Sequence, residues 1–160
     1  MTNEFMLAAY EMAKQAYDDG EVPVGAVIVR ENVIVAKGRN RREKAKNALL
    51  HAEIEAIDNA CKALGGWRLW NCELYVTLEP CPMCAGAIVN SRIKRVVYGA
   101  KDPKAGAFGT VLNLNDFPLN HKPEIVSGVC EEECAALLSD FFKILRAKKL
   151  ATKKSEIRPN

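Results

Sequence analysis

Two short clusters in this sequence combine residue types that bind metals and move protons. The first is His51-Ala52-Glu53; the second, Pro80-Cys81-Pro82-Met83-Cys84, follows about thirty residues later. If Pro82 opens a helix, where its missing N–H is tolerated, Cys81 and Cys84 lie one turn apart and can grip one ion from the same side. Thiolates at a helix N-terminus are favoured by the unpaired N–H groups and the helix dipole. His51 begins a second helical segment and can add an imidazole nitrogen. One nitrogen and two sulfurs suit zinc. A structural zinc site closes with four protein ligands, whereas three leave a position for water, whose pKa the metal lowers to about 7. Glu53, in the first helical turn beyond His51, can reach that water without ligating the metal and shuttle a proton.

Other readings use the same residues. Cys81 and Cys84 alone form a Cys-x-x-Cys redox pair, which leaves His51 and Glu53 without a role. Joined by Cys130 and Cys134 they make a closed all-thiolate zinc site, although Cys134 shares a helix with Leu138, Phe141 and Leu145, which suits a core position better. His51 and Glu53 can also be ordinary solvated helix residues. The remaining cysteines, Cys61, Cys72, Cys130 and Cys134, are expected to act as small buried hydrophobes.

The elements that must position these clusters alternate along the chain. Phe5, Ala8, Met12 and Ala16 recur at helical spacing from about Glu4 to Asp19, and Gly20 ends the run. Val24–Val29 and Val33–Ala36 flank Glu31-Asn32 and read as a tight hairpin. A polar loop spans Arg39–Asn47, then a helix runs from His51 to Leu64 and stops at Gly65-Gly66. Glu73–Leu78 reads as a strand, Pro82–Asn90 as a short helix and Arg95–Ala100 as a buried strand. Lys101–Lys122 is irregular, Glu124–Ser127 a last strand, and Glu131 to about Lys149 a long amphipathic helix with acids first and bases last. The alternation predicts an α/β domain over residues 1–150, helices covering a mixed sheet, with a basic, flexible tail over 151–160.

Composition agrees with one domain. The chain has 160 residues, 49% of them apolar and 27% charged, and no apolar run approaches the ~20 residues that cross a bilayer. An acid stands near the start where a secretory signal carries bases, and the expected location is cytoplasmic. Six cysteines in such a chain point to metal or redox chemistry rather than a disulfide framework. The net charge of +3 is mild, but bases crowd Lys37–Lys46, recur at Arg92, Lys94, Arg95, Lys101 and Lys104, and return from Lys143 onward. These segments form one polyanion track if the fold brings them together.

The order His-x-Glu then Pro-Cys-x-x-Cys is the pattern of zinc nucleobase deaminases. From about Glu4 to Lys148 the sequence resembles the bacterial tRNA-specific adenosine deaminases. The resemblance is carried by Glu21-Val22-Pro23-Val24-Gly25-Ala26-Val27, Gly38-Arg39-Asn40-Arg41, Leu74 to Ala87 around the cysteines, Gly99-Ala100-Lys101-Asp102, Asn120-His121 and Glu133 to Phe142. It implies a cytidine-deaminase-like three-layer α/β/α fold with a five-stranded mixed sheet, and a homodimer. It further implies one zinc per subunit on His51, Cys81 and Cys84, with Glu53 as acid/base. The implied reaction converts the wobble adenosine (34) of an arginine tRNA to inosine and releases ammonia, with a flipped base drawn from the anticodon loop. By position, Asn40 is implied to hydrogen-bond the purine, Ala52 to line its pocket, Asp102 to contact the ribose or a neighbouring nucleotide, and Asn120 to lie along the RNA. Phe142, one of an adjacent aromatic pair, is a candidate to stack on a neighbouring base. Each has a plainer reading: Asn40 a turn cap, Asp102 the anchor of its Asp-Pro turn, Asn120 loop surface, and Phe142 core. Two departures stand out: Asn47-Ala48-Leu49-Leu50, beside the site, replaces an Asp-Pro-Thr-like stretch of many relatives, and Arg42, Glu43 and Lys44 also differ from the pattern of the family. Deaminases of free guanine, cytosine or nucleotides share the zinc motif, and a non-enzymatic zinc-stabilised RNA-binding module would need a fourth protein ligand.

Overall fold

The computed structural model describes residues 3–157. Helix α1 covers Glu4–Asp18 and starts at Asn3, whose side chain accepts the N–H of Met6. Strands β1 (Gly25–Arg30) and β2 (Val33–Arg39) pair antiparallel across Glu31 and Asn32. Both turn residues have positive φ, 52° and 62°, as a two-residue hairpin loop that matches strand twist demands. Short helix α2 (Arg42–Ala45) lies inside the stretch expected as loop, followed by α3 (Ala52–Leu64), β3 (Cys72–Leu78), α4 (Pro82–Asn90) and β4 (Arg95–Ala100). A single 3-10 turn at Leu114–Asp116 interrupts the irregular segment before β5 (Glu124–Val126) and α5 (Glu131–Ile157).

The sheet order is β2-β1-β3-β4-β5, with β1 antiparallel to both neighbours and β3, β4 and β5 parallel. Strand alternation divides the core into two. Ala26, Ile28, Leu74, Val76, Val96 and Tyr98 face the side that carries Ala52, Ala56 and Ala60 of α3 and Ala85 and Ile88 of α4. Val27, Val29, Tyr75 and Val97 face Met6 and Ala9 of α1 and Cys134 of α5. Central strands buried on both faces account for their near-continuous apolar runs. The result is three layers, helix on sheet on helix.

Strand β2 runs to Arg39, three residues past its expected end, because its pairing with β1 continues through Gly38 opposite Ala26 and Arg39 opposite Gly25, and Gly38 sits directly under α3. A Cβ there would lie 2.4 Å from the Ala52 carbonyl oxygen and 2.5 Å from the Ala56 nitrogen. The absent side chain lets the first turns of α3, which follow His51 and carry Glu53, settle on the sheet. Gly38→Ala should cost about 1–3 kcal/mol by overpacking, read as a lower midpoint in urea unfolding with an unchanged slope.

Helix α5 continues to Ile157, through the boundary expected at 150; residues 158–160 of the expected tail lie outside the described residues. No glycine or proline stands between Gly128 and Pro159, so nothing in the local chemistry stops the helix. From Arg146 onward every described residue is exposed, and the packing of the domain ends near Leu145. Cys72 and Cys134 are buried as expected of small hydrophobes, while Cys61 and Cys130 are partly exposed. Among the described residues no helix is long and apolar enough to cross a membrane.

Candidate active site

His51 and Cys81 occupy equivalent places at the starts of two helices. Each is the N-cap, extended in backbone (φ −72°, ψ 159° for His51; φ −74°, ψ 173° for Cys81), and neither side chain caps its own helix. Both side chains are therefore free to face across the gap between α3 and α4. Cys84 lies one turn into α4, after Pro82 at the first helical position. His51 Nδ1 is 3.6 Å from Cys81 Sγ and 3.6 Å from Cys84 Sγ. The three ligand atoms all lie within 4.8 Å of one another.

That spacing can be checked against an ion. Zinc bonds of about 2.3 Å to sulfur and about 2.05 Å to nitrogen, at a tetrahedral angle, put nitrogen and sulfur about 3.6 Å apart. The donor set and its spacing thus fit zinc. Among the described residues no fourth His, Cys, Asp or Glu joins the group, and Cys134 is buried beyond the opposite face of the sheet, against Val97 and Ala100. The all-thiolate reading is thereby excluded, and the convergence of His51 on the two sulfurs leaves the bare redox pair as an incomplete account.

Burial and sulfur chemistry shape the electrostatics. The Cys81 thiol is held down to about 4, first because Cys84 donates to it and then through His51. Cys84 is shifted upward as the proton donor of the pair, and His51 is raised by the Cys81 sulfur beside it. The imidazole and the two sulfurs stand close enough for a divalent cation to hold both sulfurs as thiolates. Glu53 is 4% exposed, and burial pushes its carboxyl up to about 6, against the pull of a backbone hydrogen bond and the His51 charge.

His51, Glu53 and Cys81 line a cavity of about 110 Å³, against roughly 10–15 Å³ for one water on a comparable measure. It opens outside the carboxyl ends of β3 and β4, where ligands of open α/β sheets bind. Ala52 lines it, fully buried, and Val22, Val24 and Leu78 supply apolar walls. Asn40, 7% exposed, donates through Nδ2 to the Val22 carbonyl and accepts from the Arg42 N–H. That leaves one amide hydrogen and one carbonyl lone pair for a ligand. Asp102 also lines the cavity, and its Oδ1 accepts from the N–H groups of Lys104 and Ala105, so the turn-anchoring role is real and leaves Oδ2 free of those bonds.

Phe142 is outside this cavity. It is 39% exposed and borders an adjoining groove that shares Val22, Arg42, Leu78 and Asp102 with it. Its neighbour Phe141 packs edge-on against Tyr17 of α1, which turns Phe142 outward. Asn120 is exposed and, among the described residues, lines neither space. The Asn47–Leu50 departure shapes a turn and leaves the pocket wall alone: Asn47 Oδ1 accepts from the Leu49 N–H, and the Leu50 carbonyl accepts from Arg41.

The expected basic track is only partly assembled. Arg39 pairs with Asp19, Arg41 with Glu55, Lys44 with Asp19, and Arg95 with Glu73 and Glu124. Arg42, Lys101 and Lys104 do converge, around the groove that Phe142 borders. Spacing alone did not single out Arg42, Glu79 or the Val22 and Val24 walls; an acid set between apolar residues, as Glu79 is between Leu78 and Pro80, was the available signal.

Comparison with known proteins agrees with this geometry. A family model described as MafB19-like deaminase matches residues 2–146. The chain is 54% identical over 152 residues to the tRNA-specific adenosine deaminase of Bacillus subtilis (strain 168), spanning 94% of each protein. It is 47% identical over 148 residues to that of Haemophilus influenzae, spanning 91% of this chain and 86% of that protein. A solved structure from studies of A-to-I editing by tRNA:A34 deaminases at the wobble position superposes with a TM-score of 0.82 and 44% identity, over 84% of this chain and 98% of the other. A guanine deaminase from Bacillus subtilis is more distant, with a TM-score of 0.59 and 33% identity over 75% and 88%. The five-stranded, three-layer architecture is the cytidine-deaminase-like fold these neighbours share. With its histidine and two cysteines gathered beside a buried glutamate, this chain belongs to the tRNA-specific adenosine deaminase family.

Proposed function

We propose that this protein hydrolyses the wobble adenosine, position 34, of an arginine tRNA to inosine and ammonia, using one zinc per subunit held by His51, Cys81 and Cys84. The observation that carries the reading is the three-ligand cluster at two helix N-termini with buried Glu53 alongside. Zinc, when bound, supplies a water whose pKa is lowered to about 7. Glu53 would take a proton from water at the site and deliver it to N1 of adenine as the hydroxyl oxygen adds to C6. It would then move the proton of the new C6 hydroxyl to the exocyclic nitrogen, so that the C6–N bond breaks, the C6=O bond forms, and ammonia leaves. Asn40 orients the purine with its remaining amide hydrogen and lone pair, Ala52 closes the floor, and Asp102 offers Oδ2 to the ribose or a neighbouring nucleotide.

The base must leave the stack to reach C6, so the substrate is a loop and not a stem. Phe142 supports a flanking base, with Arg42, Lys101 and Lys104 near its phosphates, and Asn120 lies further along the RNA. A homodimer working in the cytoplasm completes the reading. The test is ammonia release from an anticodon stem-loop, free guanine, adenosine and cytidine by zinc-loaded protein. Turnover on the stem-loop alone is the expected result. Turnover on guanine alone would replace the substrate, and silence on all four would leave a zinc-stabilised RNA-binding module.

A further inference from the structure

Two buried carboxylates flank the pocket, and neither has a part in the chemistry above. Glu21 and Glu79 are each 1% exposed. Among the described residues no cation pairs with either. A buried carboxylate without a cation must be satisfied by hydrogen bonds, so what supplies them is informative. Glu79 accepts from the N–H groups of Asp102 (3.2 Å), Phe108 (3.1 Å) and Thr110 (3.2 Å), and from the Thr110 hydroxyl. The backbone of Gly106 passes so close that a Cβ there would sit 2.4 Å from the Glu79 carboxyl carbon. Glu21 accepts from the N–H groups of Glu43 (3.1 Å) and Lys44 (2.7 Å) in the first turn of α2, whose own N-cap Arg41 makes no side-chain cap bond.

The two acids use the same device on two segments of the pocket rim. One gathers the loop that begins with Asp102; the other fixes the segment between Asn40 and Lys44 that carries Arg42. The donors are backbone groups in all but one case, so what each carboxylate dictates is the path of the chain. We infer that Glu79 and Glu21 are positioning residues that hold the two rims in the shape that receives substrate, so that affinity depends on them while metal loading does not. The inference rests on reading this pocket as the deaminase site. Glutamate matters here beyond its size: a glutamine of equal shape would turn an amide N–H toward the same N–H donors, and at least one of them would lose its partner.

The test uses Glu79→Gln and Glu21→Gln in the full chain, with Thr110→Val and Thr110→Ser as milder probes. Amide hydrogen exchange, zinc content, and KM and kcat on the anticodon stem-loop are measured. Glu79→Gln should speed exchange over residues 102–110 and leave 42–46 unchanged, and Glu21→Gln should do the reverse. Each should raise KM by at least about tenfold, by more than it lowers kcat, with zinc still at one per chain. Thr110→Val should move both readouts the same way by less, and Thr110→Ser should restore them. Should Glu79→Gln fail to fold, the Thr110 pair decides for its rim; should Glu21→Gln fail, Glu21→Asp, which keeps the charge but shortens the reach to the Glu43 and Lys44 N–H groups, takes its place with the same expected exchange and KM changes. Unchanged exchange, or loosened rims with unchanged KM, would overturn the inference. If the wild-type protein instead turns over free guanine, the same KM-against-kcat split is read on guanine, and only the substrate assignment fails.

Discussion

Replacing Cys84 with serine should strip the protein of zinc and lower turnover on the stem-loop by at least roughly 10⁴-fold. The estimate follows from the water: without the metal its pKa returns from about 7 toward 15.7, a loss of more than eight decades in available hydroxide that the stronger nucleophile offsets only in part. Cys84 is fully buried on α4, one turn from Cys81, and a serine hydroxyl is a poor zinc ligand at that place. The same substitution should lower thermal stability, because the ion would tie the N-termini of α3 and α4 together and its binding energy counts toward folding. Chelation of the wild-type protein should reproduce the loss, and added zinc should reverse it. Cys134→Ala is the control that separates this site from a four-thiolate one. Cys134 packs on the other face of the sheet, so its loss should weaken the fold while zinc stays at one per chain. Zinc retained in Cys84→Ser, or lost in Cys134→Ala, would contradict the ligand set.

Glu53→Gln should lower kcat by about 10²–10⁴-fold, the usual contribution of a positioned general acid–base group. Zinc content should stay at one per chain and KM should change little. Glu53 is on the first turn of α3, nearly sealed from solvent, and it lines the cavity beside His51 without joining the ligand group. Glutamine keeps that shape and can still hydrogen-bond, but it cannot carry a proton. Glu53→Ala should lose turnover as well while keeping metal and fold. Metal analysis alongside ammonia release checks both variants. Turnover within tenfold of wild type in Glu53→Gln would remove this residue from the reaction.

Much of the site was legible because the relevant information is contiguous. His51 and Cys81 reveal themselves as helix starts through the residues that follow them, and a Cys-x-x-Cys opened by proline sets both sulfurs on one turn wherever the helix goes. Glu31-Asn32 is a hairpin turn for an equally local reason, two adjacent residues taking positive φ. The α/β alternation came from periodicity, which is a property of short windows.

What tertiary structure alone decided involves residues far apart in the chain. The clustered bases near Arg39 looked like one surface, yet Arg39 and Lys44 share Asp19, Arg41 pairs with Glu55, and Arg42 is left at the rim. Charge pairing is set by distance in space, which charge order along the chain does not report. Tyr17 bonds to Asp140 across 123 positions and packs on Phe141, so which phenylalanine of the pair faces outward was settled by α1 docking on α5. Glu21 and Glu79 carry no motif of their own; each became a buried acceptor only when a loop more than twenty residues away folded its N–H groups over it. Local conformation is written in neighbouring residues because backbone sterics act between neighbours, whereas burial and pairing wait on how the layers close.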